Sequence, residues 1–177
     1  MKYKDIKRYF KPYGIVAHRK STINNAFASA IAPHDEFEDT HVRDAITRLG
    51  QDPDNDLMCV YCEAVAQTWD HVFGTVQDGV FSGYGHRLGN LLPCCKSCNS
   101  AKGKKNWNEF LNSKVNLSKE DKRARTEIIK KYLTQYPVSD VVTECDQYRE
   151  LLTIKDQILE LMKKADDIAI KLRATRT

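Results

Sequence analysis

With 177 residues, 29% of them charged and 41% apolar, the chain has the composition of a soluble globular protein with one modest core. No apolar run approaches the roughly 20 residues of a membrane helix, and no apolar stretch follows the basic N-terminus, so neither a membrane span nor a signal peptide is expected and the cytoplasm is the default compartment. The net charge of +4 is unevenly spread: residues 1–20 carry seven Lys/Arg against one Asp, residues 96–131 eleven against four, and residues 21–57 two against eight. Basic blocks of this kind suit a polyanion partner, although solvated helix faces explain lysine runs equally well.

In chain order, residues 3–11 and 22–32 are expected as short helices, the second with Ser21 as its N-cap, and a third runs from Thr40 as cap to Gly50 as stop. The connector QDPDND at 51–56 is rich in turn residues. Its D-x-D-x-D spacing is not a calcium loop, because Leu57 stands where glycine is needed and the closing glutamate is missing. These elements make a helical N-terminal segment, 1–56. In the central segment, 57–117, LMCVYC leads into a turn and AQTWDHVF alternates as a strand. The stretch GTVQDGVFSGYGHRLG holds five of the eight glycines and is expected as a long loop. NLLPCC then returns as a short strand, and SCNSAKGKKNWNEFLN is a turn entering a helix.

The C-terminal segment, 118–177, opens with a helix over 118–134 capped by Ser118, and Pro137 breaks it. Residues 140–173 are expected as one long helix whose apolar stripe includes Val141, Cys145, Leu152, Leu159 and Leu172. Lys155 and Asp166 interrupt a strict heptad, which favours packing on the chain's own domain or on a second copy over a long coiled coil. That helix is a candidate homodimer interface. The fold class is α+β, mostly helical, with a strand–loop–strand–helix unit at its centre.

Four of six cysteines form two C-x-x-C knuckles, Cys59/Cys62 and Cys95/Cys98, separated by 32 residues. Four thiolates suit tetrahedral zinc in a closed structural site, and a reducing compartment disfavours disulfides. Cys94 is expected as a small buried residue and Cys145 as core.

Between the knuckles stands TWDHVFG, with Asp70 and His71 adjacent in an apolar run. A buried charge is costly unless it is paired or bound to metal. The succession C-x-x-C, then D-H, then N-L-x-P-x-C-x-x-C-N-x-x-K-G closely resembles the HNH endonuclease family of the ββα-metal nucleases, over roughly residues 57–112. The resemblance implies a ββα-metal core stapled by the four-cysteine zinc site. It implies His71 as the general base, Asp70 and Asn99 as ligands of a catalytic magnesium or manganese ion, Asn90 as a bridge holding the histidine's backbone, and Lys102 reaching a phosphate. The implied activity is hydrolysis of DNA to 5′-phosphate and 3′-hydroxyl ends, with restriction or phage defence as the setting. RNA is a second substrate class consistent with the same residues.

The chemistry is coherent in its own right. A neutral imidazole accepts a proton from water at cellular pH. Oxygen donors take a hard ion while thiolates take a soft one, so the two metal sites do not compete. Two departures stand out: Gly74 replaces a proline common in the family, and Asn99 replaces a histidine. His86 is a candidate second imidazole, ahead of His18, His34 and His41, and Arg87 and Lys96 are candidate phosphate contacts. The rival from another class is a non-catalytic zinc module that binds nucleic acid, which needs the knuckles and basic faces but not the D-H pair.

Overall fold

The computed structural model describes residues 2–138 and 145–175 and is α+β, mostly helical, with two small antiparallel strand pairs. Among the described residues no helix is long and apolar enough to cross a membrane. The N-terminal helix expected over 3–11 is a 3-10 helix, Tyr3–Tyr9.

The next helix, α1 (Ile15–Ile31), begins six residues before Ser21, the expected cap. Its N-cap is Gly14, which has no side chain to satisfy the free N–H groups of the first turn. Asp166, far along the chain, accepts from Ile15 N at 2.7 Å and Val16 N at 3.0 Å and takes over that task. α2 (Asp39–Arg48) is capped by Glu38 rather than Thr40, and Gly50 closes it at φ +73°.

β1 (Thr68–His71) pairs antiparallel with β4 (Leu91–Cys94), setting Asp70 opposite Leu92 and His71 opposite Leu91. The loop between them contains a hairpin, β2 (Val76–Gln77) and β3 (Val80–Phe81), where only irregular chain was expected. Asp78 and Gly79 form its turn at φ +52° and +85°, the geometry that Asp-Gly adopts in two-residue hairpins. After β4 the expected single helix is two, α3 (Lys96–Lys102) and α4 (Trp107–Asn112). Gly103, at φ +50°, stops the first, and the Asn106 side chain caps the second.

α5 (Lys119–Gln135) follows with Ser118 and Asp121 in a reciprocal capping box. The last helix, α6, covers Asp146–Ala174. Residues 140–144 of the expected helix, Val141 included, lie outside the described residues. Cys145, expected in the core, is exposed at the N-cap of α6, because the helix begins only after it.

The main core draws on all three segments: Ala45 and Leu49 of α2, Tyr61, Leu92 of β4, Leu111 of α4, and Ile129 and Tyr132 of α5. The Tyr132 hydroxyl accepts from Gly89 N at 2.9 Å and donates to Leu91 O at 3.2 Å, tying α5 to the start of β4. A smaller core joins α1, the hairpin and α6 through Ala28, Ala32 and Phe81, with Ile31, Val76 and Tyr148 against it. Both polar residues that interrupt the α6 stripe have tertiary tasks. Asp166 caps α1, and Lys155, 6% exposed, donates to Gly79 O at 3.2 Å. On the outward side of α6, Ile154, Leu161 and Ile168 remain exposed at intervals of seven residues.

Candidate metal centre and the adjoining polar cleft

The two knuckles converge. The Sγ atoms of Cys59, Cys62, Cys95 and Cys98 all lie within 4.8 Å of one another. Cys62 and Cys95 are 3.7 Å apart, close to the edge of a tetrahedron built on zinc–sulfur bonds of about 2.3 Å. Cys95 is also the N-cap of α3 and accepts from Cys98 N at 3.3 Å. Lys114 Nζ approaches Cys98 Sγ at 3.0 Å, a contact that favours the thiolate. Cys94 is fully buried outside the four, with its thiol 3.9 Å from Cys59 Sγ. That thiol contact holds Cys59 down at about 4, whereas burial pushes Cys98 up to about 12. Four thiolates therefore need a cation to coexist, and the cluster could hold a metal ion such as zinc.

Asp70 lies on the inner face of β1 at 3% exposure. Its Oδ2 accepts from the Tyr61 hydroxyl at 2.8 Å and its Oδ1 from Lys102 Nζ at 3.0 Å. Lys102, also 3% exposed, donates as well to His71 O at 2.9 Å. The expectation that Lys102 reaches outward to a phosphate is thus corrected: a buried carboxylate demands a counter-charge, and Lys102 supplies it from the end of α3. Burial pushes the Asp70 carboxyl above its usual range, against the pull of Tyr61 and Lys102. Among the described residues Tyr61 and Lys102 fill two of the carboxylate's roughly four acceptor positions.

His71 projects from the opposite face of the pleat, and its Nε2 meets His86 Nδ1 at 3.0 Å. His86 is held from behind: its N–H donates to Pro33 O at 2.8 Å, and its carbonyl accepts from Asp35 N at 3.2 Å. Burial, with His86 and Lys102 close by, lowers His71 to about 4, so the imidazole is neutral at cellular pH. Asn90, fully buried, accepts from Phe73 N at 2.7 Å and donates to Phe73 O at 3.1 Å and Gly85 O at 2.8 Å. It pins the chain just beyond His71 to the far side of the loop. Asn99 directs its amide N–H at Thr68 Oγ1 and Trp69 O, 3.4 and 3.5 Å away.

Asp70, His71 and Asn99 line one cavity of about 460 Å³. Its lining also includes Lys20, Ser21, Asn24 and Asn25 of α1, Asp78 of the hairpin turn, and Lys104. Nothing local in the sequence joins α1 to this cleft, since the contact arises from packing between distant segments. Asn90 and Lys102 act behind the cavity and are not part of its lining. Of the other candidate residues, Arg87 faces Asp35 at 3.8 Å and His41 pairs with Glu38 at 3.1 Å, both away from this lining. A larger cavity of about 540 Å³ beside Cys59 is lined mainly by apolar groups such as Leu49, Val60 and Ile129.

Purified protein is expected to carry one zinc per chain by elemental analysis. Cys62→Ser or Cys98→Ser should lose it, while Cys94→Ser and Cys145→Ser keep it; zinc retained by both knuckle variants would refute the assignment. His71 has its own signature. The unfolded imidazole takes a proton near pH 6.5 and the folded one only near 4, so this group's contribution to stability is present above pH 6.5 and is lost as pH falls toward 4. Ring NMR without added divalent ions should show His71 titrating near 4 and rising in His86→Ala; a midpoint of 6 or higher in the parent protein is the contrary result. No family model, no curated protein and no solved structure matches the chain.

Proposed function

We propose that this chain is a metal-dependent endonuclease of the HNH type, hydrolysing DNA phosphodiester bonds to 5′-phosphate and 3′-hydroxyl ends. The observation that carries the reading is the shared cavity of Asp70, His71 and Asn99, three residues singled out by motif alone. A strand pair followed by a helix frames it, and the four-cysteine cluster sits at the entry to that helix.

In this reading neutral His71 takes the proton from an attacking water. Lys102 ties the Asp70 carboxylate to the His71 carbonyl, so the base and the proposed metal ligand are held on one stretch of backbone. Asn90 stiffens the turn after His71. Asp70 and Asn99 would hold a magnesium or manganese ion, which when bound supplies charge relief at the phosphate. Zinc at the knuckles is structural. The surface for self-association is the outward row Ile154, Leu161 and Ile168 of α6, through which a second copy would bring two single-strand cuts to one duplex.

The test is supercoiled plasmid cleavage with magnesium. The parent protein should nick or linearise the plasmid, and His71→Ala, with its zinc intact, should be slower by about 10²–10⁴-fold, the usual contribution of a general base. Zinc-loaded parent protein that binds nucleic acid but cuts neither DNA nor RNA with magnesium or manganese would leave the non-catalytic binding module as the answer. Sedimentation decides the pairing: a dimer that dissociates in Leu161→Glu supports it, and a parent monomer at tens of micromolar removes it.

A further inference from the structure

The wall of the cleft opposite β1 is built from α1, which carries no acidic residue and has His18, Arg19 and Lys20 in its first half. Lys20, Ser21, Asn24 and Asn25 fall on one side of that helix and line the cavity together. Asn24 is 8% exposed, and its Oδ1 has no hydrogen-bond partner. A buried acceptor without a donor is rare in folded proteins, and the side chain that carries it lines a polar cavity.

This wall is firmly mounted. Asp166 of α6 holds the first two N–H groups of α1, and Lys155 of the same helix holds the hairpin turn at Gly79 O. Gly79 in turn lies so close to Asn24 that a Cβ there would come within 3.0 Å of its amide nitrogen.

The charges facing the cavity favour an anion. Asp70 is neutralised by Lys102, leaving Lys20 and Lys104 against Asp78 of the hairpin. Among the described residues neither Lys20 nor Lys104 takes part in an ion pair. A cavity of about 460 Å³ falls in the size range of small-ligand sites, with room for a nucleotide unit of one strand.

Building on the nuclease reading, we propose that α1 forms a binding subsite for single-stranded polynucleotide, in which Lys20 and Lys104 hold phosphates flanking the one at His71 and Asn24 Oδ1 accepts a hydrogen bond from the strand. Phosphate contacts set position, and the asparagine adds a requirement for a donor, either a base amino group or a ribose hydroxyl. The subsite would then engage a strand that is unpaired or frayed out of its duplex around the cut.

Binding is measured with zinc-loaded full-length His71→Ala protein and a fluorescein-labelled 12-nucleotide single strand, by anisotropy without magnesium, so the result does not depend on whether the chain cuts. Lys20→Glu and Lys104→Glu should each weaken binding about tenfold or more and flatten the salt dependence, by about 0.7 in log–log slope for each phosphate no longer held. Asn24→Leu should weaken binding about tenfold with the slope unchanged, zinc content and circular dichroism reporting its fold. Lys131→Glu on α5, outside the cavity lining, should bind like the parent. The proposal is overturned if both exposed lysine variants match Lys131→Glu, or if duplex of the same sequence binds as tightly as the single strand. Failure of the parent protein to cut plasmid, single-stranded DNA or RNA with magnesium or manganese, with these weakened affinities still observed, removes the nuclease reading and leaves the strand-binding subsite.

Discussion

The meeting of two Cys-x-x-Cys turns is the constraint from which the centre of this protein is built. The first knuckle ends shortly before β1, and the second begins directly after β4. Bringing their sulfurs together therefore aligns the two strands, with Thr68 opposite Cys94. It also fixes where α3 starts, since Cys95 is both a cluster member and the cap of that helix. Seven helical residues later the chain reaches Lys102, at the distance needed to meet Asp70. One clustered set of thiols thus decides strand register, helix entry and the placement of a buried ion pair. A two-strand sheet would be marginal without such a staple.

That ion pair illustrates what buried charge is for. Removing a carboxylate and an ammonium from water is costly, and a salt bridge in an interior seldom stabilises a fold more than apolar packing would. What Asp70, Lys102 and Tyr61 do provide is direction. Tyr61 and Lys102 occupy one lone pair on each carboxylate oxygen, and the same ammonium reaches the His71 carbonyl. The backbone at the end of β1 is thereby held from within, while Asn90 holds the next two residues from the loop side. His71 is left as the group on this stretch that turns outward, neutral and, among the described residues, hydrogen-bonded through its ring only to another imidazole.

The outer helices belong to the same design. α6 is no loose appendage, because it completes the N-terminus of α1 with Asp166 and grips the hairpin with Lys155. α1 and the hairpin in turn form the side of the cleft that faces β1. Contacts spanning 150 residues of chain thus govern a cavity whose chemistry lies within a short central stretch.

Much of this was legible in the chain itself, wherever the signal was local. Cysteine spacing sufficed for the four-thiol cluster, because C-x-x-C turns present both sulfurs to one side. Ser118 announced the start of α5, since an N-cap is satisfied within four residues, and the structure adds Asp121 as its reciprocal partner. The Asp-Gly step at 78–79 carried a hairpin signal that was overshadowed by the surrounding glycines. Packing decided the rest. Gly14 conceals the start of α1 because its cap comes from α6, and Lys155 and Asp166 look like flaws in an apolar stripe until their distant partners are known. Lys102 looks like a surface cation until β1 places a carboxylate beneath it, and Asn24 has no visible role until α1 is laid across the cleft. Patterns within a few residues can specify turns, caps and ligand sets, but a charge or cap satisfied across the whole chain is specified only by the folded arrangement that brings its partner near.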